Sequence, residues 1–232
     1  MDNLKFEEHF QRFGFTQRRY PNEPLIQFLA KHYFSIPRER KRKEIKILEL
    51  GCGSGANLWM IAKEGFDAYG LDIAPTGIEL CKQTMSFWGV TANLSVGNMR
   101  KLDFENNFFD VIFDVVSMQH LDIKGHKESQ KEVYRCLKGG GRFFSWHLGT
   151  GSVSFQKGEG TKIDEFTVDN IISSKETLPL ENNGITKFLT PTKAVELLDG
   201  AGFEDINIEI ITRTYNNRSQ LIEHLAVEAR KP

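Results

Sequence analysis

Residues 48–55 read Leu-Glu-Leu-Gly-Cys-Gly-Ser-Gly, with Gly51, Gly53 and Gly55 directly behind an apolar run. Glycines at such a junction let the backbone turn sharply and let a ligand lie against bare main chain. A helix that starts after the turn offers unpaired N–H groups to an anionic ligand part, such as an amino acid carboxylate. With Ala56 the same glycines satisfy the loose dinucleotide fingerprint G-x-G-x-x-G/A, so alone they do not select a ligand. Glu49 does select: an acid two residues before the first glycine suits a cationic ligand and would repel a pyrophosphate. A second acid, Asp72, closes Gly70-Leu71-Asp72 and stands 21 residues after Gly51. A carboxylate there can accept hydrogen bonds from both hydroxyls of a ribose, and would repel a 2′-phosphate. An acid that merely ends a strand is the plain alternative, and the glycine turn upstream weighs against it.

These residues do chemistry only if the strands carrying them end together. Apolar runs at 45–50, 68–71, 92–96, 111–116 and 142–146 read as five strands, separated by helical patterns. The helices are expected to reach about Glu64, to cover Pro75 to Trp88 (Ile78, Cys81 and Met85 inward), and to run from about His126 to Leu137. Lys138-Gly139-Gly140-Gly141 reads as the basic last turn and glycine stop of that third helix. Strands alternating with helices over short links imply a parallel sheet with helices on both faces. Residues 206–212 and 221–229 are β-rich and joined by the turn-forming Tyr215-Asn216-Asn217-Arg218, so they are expected to pair as an antiparallel hairpin. The fold class is therefore a doubly wound α/β sheet, mostly parallel and seven-stranded, with an antiparallel C-terminal hairpin strand. Residues 1–44 read as a helical cap, with Phe6, Phe10 and Phe13 at helical spacing and a second helix beginning at Pro24. The charged run 38–43 reads as a solvated linker. Residues 148–190 are rich in Gly, Ser, Lys and Asn with weak strand-like pieces such as 162–168, the pattern of an insertion or lid. Thr190-Pro191 starts the last helix, and residues 191–232 complete the sheet.

In order along the chain, Glu49-Leu50-Gly51-Cys52-Gly53-Ser54-Gly55, Asp72, Gly97-Asn98-Met99, Phe109-Asp110-Val111-Ile112-Phe113 and Leu137-Lys138-Gly139-Gly140-Gly141 resemble the class I S-adenosylmethionine-dependent methyltransferase family. The resemblance covers roughly residues 45–147 and implies a Rossmann-like core and S-adenosylmethionine as cofactor. It implies that Gly51, Cys52 and Gly53 lie under the methionine part with Glu49 near its ammonium. Asp72 would hold the ribose, Ile73 would pack on adenine, and the Met99 N–H would face an adenine ring nitrogen. Asn98 stands where relatives often carry Asp. Ser117 would border the methionine chain, and Tyr20 belongs to a segment that some relatives fold over the cofactor. Methyl transfer is an in-line attack on a sulfonium-bound methyl group, in which alignment supplies much of the rate. A base is needed only if the acceptor must lose a proton. His120 and His147 follow the fourth and fifth strands at the ligand-binding edge and are the candidates, with hydrogen-bonded structural histidines as the alternative. His126, at a helix start, is expected at the surface. No metal site is expected.

The formal net charge is −1, which gives no general attraction to nucleic acid or to an anionic membrane. Three widely spaced cysteines favour free thiols over a disulfide framework. The N-terminus shows no apolar signal core and no run approaches a membrane span, so the expected location is cytoplasmic. The expected activity is methylation of a small-molecule acceptor, a sugar, amine or similar metabolite. The rivals are an RNA or protein methyltransferase, a nicotinamide-dependent oxidoreductase (for which no Tyr-x-x-x-Lys pair is found) and a non-catalytic cofactor-binding protein. The acceptor and the oligomeric state stay open.

Overall fold

A computed structural model of the chain describes residues 3–15, 19–38, 41–171, 184–215 and 217–232. Its first elements are α1 Asn3–Phe13, α2 Glu23–His32, β1 Lys46–Leu50, α3 Leu58–Lys63, β2 Asp67–Asp72, α4 Pro75–Trp88, β3 Asn93–Val96 and β4 Phe109–Val115. They continue as α5 Ile123–Cys136, β5 Leu137–Leu148, α6 Val153–Gln156, β6 Thr161–Lys162, β7 Thr167–Asp169, β8 Thr186–Lys187, α7 Pro191–Asp199, β9 Glu204–Tyr215 and β10 Gln220–Arg230. Seven strands form one sheet in the order β3-β2-β1-β4-β5-β10-β9. The pairs from β3 to β5 are parallel, and β10 runs antiparallel to both β5 and β9. This is the expected doubly wound sheet with its reversed C-terminal strand.

Neighbouring residues on the central strands face opposite layers, which is why those strands read as continuous apolar runs. Ile47 and Phe113 pack with α2, α3 and α4, whereas Leu48 and Ile112 pack with α5 and α7. Within the first 44 residues, α2 joins the sheet layer. Asn22 caps it by accepting from the Leu25 N–H, Leu25, Phe28 and Leu29 are buried, and Phe28 stacks on Phe144 at 5.1 Å between centroids. Burial of each such side chain contributes about 1.5–3 kcal/mol. α1 does something else, described below.

Three local expectations change. The glycine stop after α5 is absent: that helix ends at Cys136, and β5 begins at Leu137. The glycines form a bulge, because Phe109 pairs with Leu137 and Val111 with Arg142. The C-terminal segment holds the bulge, with the Gly140 N–H donating to the Lys231 carbonyl and the Lys231 N–H to the Gly141 carbonyl, each at 2.9 Å. Within the charged run, Arg42 is a structural cation. Arg42 is 6% exposed and donates to the carbonyls of Ile36 (2.8 Å) and Phe34 (2.7 Å) and to the Glu64 carboxylate (2.5 Å). Residues 162–168 are strand only at their ends, Lys162 closing β6 and Thr167 and Val168 opening β7 around a turn at 163–166, and the small sheet adds β8. Residues 172–183 of the expected lid lie outside the described residues. Among the described residues, no helix is long and apolar enough to cross a membrane.

Candidate active site

The strand order reverses between β1 and β4, and their chains leave in opposite directions, opening a crevice beyond the strand ends. β1 delivers Glu49 and Gly51 to it. Glu49 is 2% exposed; its Oε1 accepts from Asn57 Nδ2 at 2.6 Å, while its Oε2 is buried without a partner. Burial pushes the Glu49 pKa well above the usual carboxylate range, with the Asn57 amide pulling the other way. Asn57 is fixed in turn, since its Oδ1 accepts from the Asn22 N–H at 2.9 Å. The cap of α2, the turn before α3 and Glu49 thus form one hydrogen-bonded chain.

Gly51 has φ 66°, and a Cβ there would lie 2.3 Å from Cβ of Ser117, so only glycine lets the β4 exit close on this turn. The Gly51 and Cys52 N–H groups both donate to the Leu71 carbonyl, at 2.7 and 3.0 Å. The Cys52 side chain lies in the apolar layer of α3 and α4. Asp72 ties the exits of β1 and β2 together, accepting from the Gly53 N–H at 2.7 Å on one oxygen and the Ala74 N–H at 2.9 Å on the other. Each oxygen keeps a second lone pair for a ligand hydroxyl. Burial raises the Asp72 pKa, and these backbone donors oppose the shift.

β4 contributes a buried acid of its own. Asp114 accepts from the N–H groups of Ser117 (2.9 Å) and Met118 (2.8 Å) and from the Ser145 hydroxyl (3.0 Å). It thereby fixes the 3-10 turn Met118–His120. The Ser117 hydroxyl lies between the Asp114 carboxylate and the Leu50 carbonyl, which is at 2.6 Å. Val116 enters the turn with φ 59°, a conformation costing a β-branched residue about 1–3 kcal/mol.

His120 is half-buried, with Nδ1 2.9 Å from the Ile185 carbonyl. That contact assigns the hydrogen to Nδ1 and makes Nε2 an acceptor, 3.5 Å from the side-chain amide nitrogen of Gln119. Burial pushes the His120 pKa down to about 4, so the ring is neutral at neutral pH. His147 is 2% exposed, and its Nε2 lies 3.8 Å from Asp114. Its Nδ1 is buried without a hydrogen-bond partner among the described residues. His126, expected at the surface, is 1% exposed. It turns inward because it partners a buried amine, its Nδ1 lying 2.5 Å from Lys187 Nζ, and its ring sits 5.1 Å from that of His147. Lys187, on strand β8, is fully buried and also donates to the carbonyls of Met118 (2.9 Å) and Leu121 (3.2 Å).

α1 crosses the strand exits. Glu7 accepts from the Thr76 N–H at 3.0 Å, Phe10 packs on Ala74 and Leu80, and Phe6 meets the His120 ring edge-on at 5.1 Å. Ile73 is half-buried beside Asp72, and the Met99 methyl reaches within 3.7 Å of a Cβ placed on Gly51. Asn98 is exposed, and its Oδ1 accepts from the Arg100 N–H at 2.9 Å. Tyr20 is 63% exposed and faces Trp88, at the far end of α4. The structure therefore gathers Glu49, Gly51, Gly53, Asp72, Met99, Ser117 and His120 at the strand ends. Tyr20 and Asn98 stand outside that cluster, and His147 behind it.

Residues 47–141 match the family described as a methyltransferase domain. The matched stretch is similar to the class I S-adenosylmethionine-dependent methyltransferases. Over 146 residues it is 27% identical to sterol 4-C-methyltransferase strm-1 of Caenorhabditis elegans, covering 61% of this chain and 43% of that protein. Over 210 residues it is 26% identical to sterol 24-C-methyltransferase erg-4 of Neurospora crassa, covering 87% of this chain and 49% of that one. The chain thus spans about half the length of these curated relatives or less. A structure of a SAM-dependent methyltransferase from Methanosarcina mazei superposes with a TM-score of 0.67 at 24% identity, covering 80% of this chain and 92% of that chain, and shares its fold.

The residues of this chain suit the cofactor of the methyltransferases it resembles. The unpartnered Glu49 oxygen asks for a buried cation, the Asp72 carboxylate has lone pairs for a sugar, and the glycine turn leaves bare backbone between them. Sequence reasoning missed Asn57, Asp114 and Lys187. Asp114 carries a readable signal, an acid inside the apolar run Val111-Ile112-Phe113-Asp114-Val115. Asn57 and Lys187 carry none, because their partners are distant in the chain.

Proposed function

We propose that this chain transfers a methyl group from S-adenosylmethionine to a small-molecule acceptor seated between the β4 exit, α1 and β8. The observation that carries the reading is the buried, unpartnered oxygen of Glu49 beside the bare backbone of Gly51, an arrangement that favours an ammonium over a phosphate. When bound, S-adenosylmethionine supplies an electrophilic methyl group on sulfonium. Glu49 receives the ammonium, and the backbone of Gly51, Cys52, Gly53 and Ser117 borders the methionine chain. Asp72 accepts from the ribose hydroxyls, while Ile73 and Met99 line the adenine side, with the exposed Asn98 at its rim. His120 Nε2 takes a proton from an acceptor that must lose one, and His147 acts through Asp114 by holding the turn that aims His120. Both named relatives act on sterols, which favours an apolar, ring-bearing acceptor over a sugar.

A labelled-methyl assay over fractionated cell metabolites, run with and without ribonuclease, tests the proposal. Product in an apolar, ribonuclease-resistant fraction is expected. Product that disappears with ribonuclease, or stabilisation in a thermal-shift assay by reduced NAD in place of S-adenosylhomocysteine, would overturn it.

A further inference from the structure

The large sheet has two margins, and they are built differently. β3 is a margin of 4 residues, whereas β9 is 12 residues long and, among the described residues, only β10 pairs with it. A strand at a margin keeps a row of unpaired N–H and C=O groups, which natural sheets blunt with lysine, proline, bulges or short length. Residues 204–215 contain no lysine and no proline. The register shift against β10 falls at Glu228/Arg230, opposite the start of β9, so the ladder is unbroken from Asn207 to Tyr215. Ile210, within that stretch, is 54% exposed. A long, regular and partly apolar margin is a template for another strand.

The residues of β9 also say which strand fits. In an antiparallel pair of two copies, residues on the same face oppose each other. With Ile211 set against Ile211 on a twofold axis, Glu209 of each copy faces Arg213 of the other. Thr212 and Thr214 then face Ile210 and Ile208, β-branched pairs that suit a sheet. A slip of two residues sets Glu209 against Ile211 or Tyr215. A slip of four sets Glu209 against Glu209 or Arg213 against Arg213, and like charges directly opposite are unfavourable. One register therefore satisfies both charges, and symmetry makes the pair twice. Glu209 and Arg213 are exposed, as is Glu23 of α2, which lies 3.3 Å from Arg213 in the same chain. Such an exposed pair holds weakly, and a guanidinium has donors for both acids. We propose that β9 is a homodimer interface, joining the sheets of two chains antiparallel about Ile211.

Sedimentation velocity of the whole chain at low ionic strength, from micromolar to submillimolar concentration, tests this. A reversible dimer is expected. Glu209→Arg and Arg213→Glu each set like charges together and should weaken it about tenfold. Both positions are exposed, so circular dichroism melts of the dilute variants should be unchanged. Combining the two substitutions in one chain restores complementary charges and should recover the wild-type affinity. An equimolar mixture of the two single variants should form the mixed dimer. No step needs cofactor or acceptor, so failure of the methyl-transfer reading leaves the result interpretable. A wild type that stays monomeric, single variants that associate like the wild type, or a double variant as weak as the singles would each overturn the proposal.

Discussion

Two carboxylates at neighbouring strand ends receive different surroundings and so different work. Asp72 engages a backbone N–H on each oxygen, whereas Glu49 keeps one oxygen bare in a buried setting. Burial raises the pKa of Glu49, so without ligand it holds a proton above the ordinary carboxylate range of about 4.3. A bound ammonium favours the ionised form and lowers that pKa, so binding releases a proton. The affinity for S-adenosylhomocysteine should therefore tighten as pH rises through the window between the bound and free values, and then level off. Calorimetry across acid to neutral pH checks this, and Glu49→Gln should bind more weakly with a flatter profile. Asp72→Ala should weaken binding by about a hundredfold or more, since each hydrogen bond to a charged group contributes about 1.5–3 kcal/mol. Wild-type affinity in that variant would remove the ribose assignment. Both acids were legible because their spacing from Gly51 is local information. Asn57, which orients Glu49, was not, because its role depends on Asn22 at the start of α2.

At the scale of elements, α1 shows what periodicity can and cannot reveal. Phe6, Phe10 and Phe13 mark a helix at once, yet Phe10 is 3% exposed while Phe13 is 47% exposed. The pattern finds the face and leaves its partner unnamed, because that partner is assembled from Ala74, Gly77 and Leu80 of a distant segment. The small β6-β7-β8 sheet was harder still to read, since strands as short as Thr161–Lys162 and Thr186–Lys187 leave no period to detect. α1 spans Thr76 and His120, so its docking covers both the Asp72 end of the crevice and the candidate base. Removing a buried Phe side chain costs about 3–5 kcal/mol. Phe10→Ala should therefore release α1 while leaving the sheet intact. Amide exchange in α1 should rise toward free-helix rates with core protection unchanged, and S-adenosylhomocysteine should dissociate at least about tenfold faster in stopped-flow measurements. Unaltered protection of α1 would show that Phe10 does not hold it.

For the molecule as a whole, the unusual feature is a polar interior where the small β6-β7-β8 sheet meets the large one. Asp114, His147, His126 and Lys187 run from the crevice into the protein, each nearly inaccessible to water. Such a chain holds β8 in one register, because Lys187 reaches the carbonyls of Met118 and Leu121 only from its present place. The lysine is sequence-silent, an ordinary cation in a weakly patterned stretch. Its chemistry yields a signed prediction. Burial pushes its pKa down to about 7 from 10.5. Between those values the unfolded chain binds the proton and the folded chain does not, so stability rises with pH by up to about 1.4 kcal/mol per unit. Below about pH 7 both states carry the proton and this dependence vanishes. Lys187→Met keeps the side-chain length and removes the titration, while the histidines are neutral in both states over most of this window. In urea unfolding from about pH 7 to about pH 9.5, the wild type should gain on the variant at a slope approaching that value. Two stability curves running parallel across that range would mean that the amine keeps its charge in the folded protein, and with it access to water.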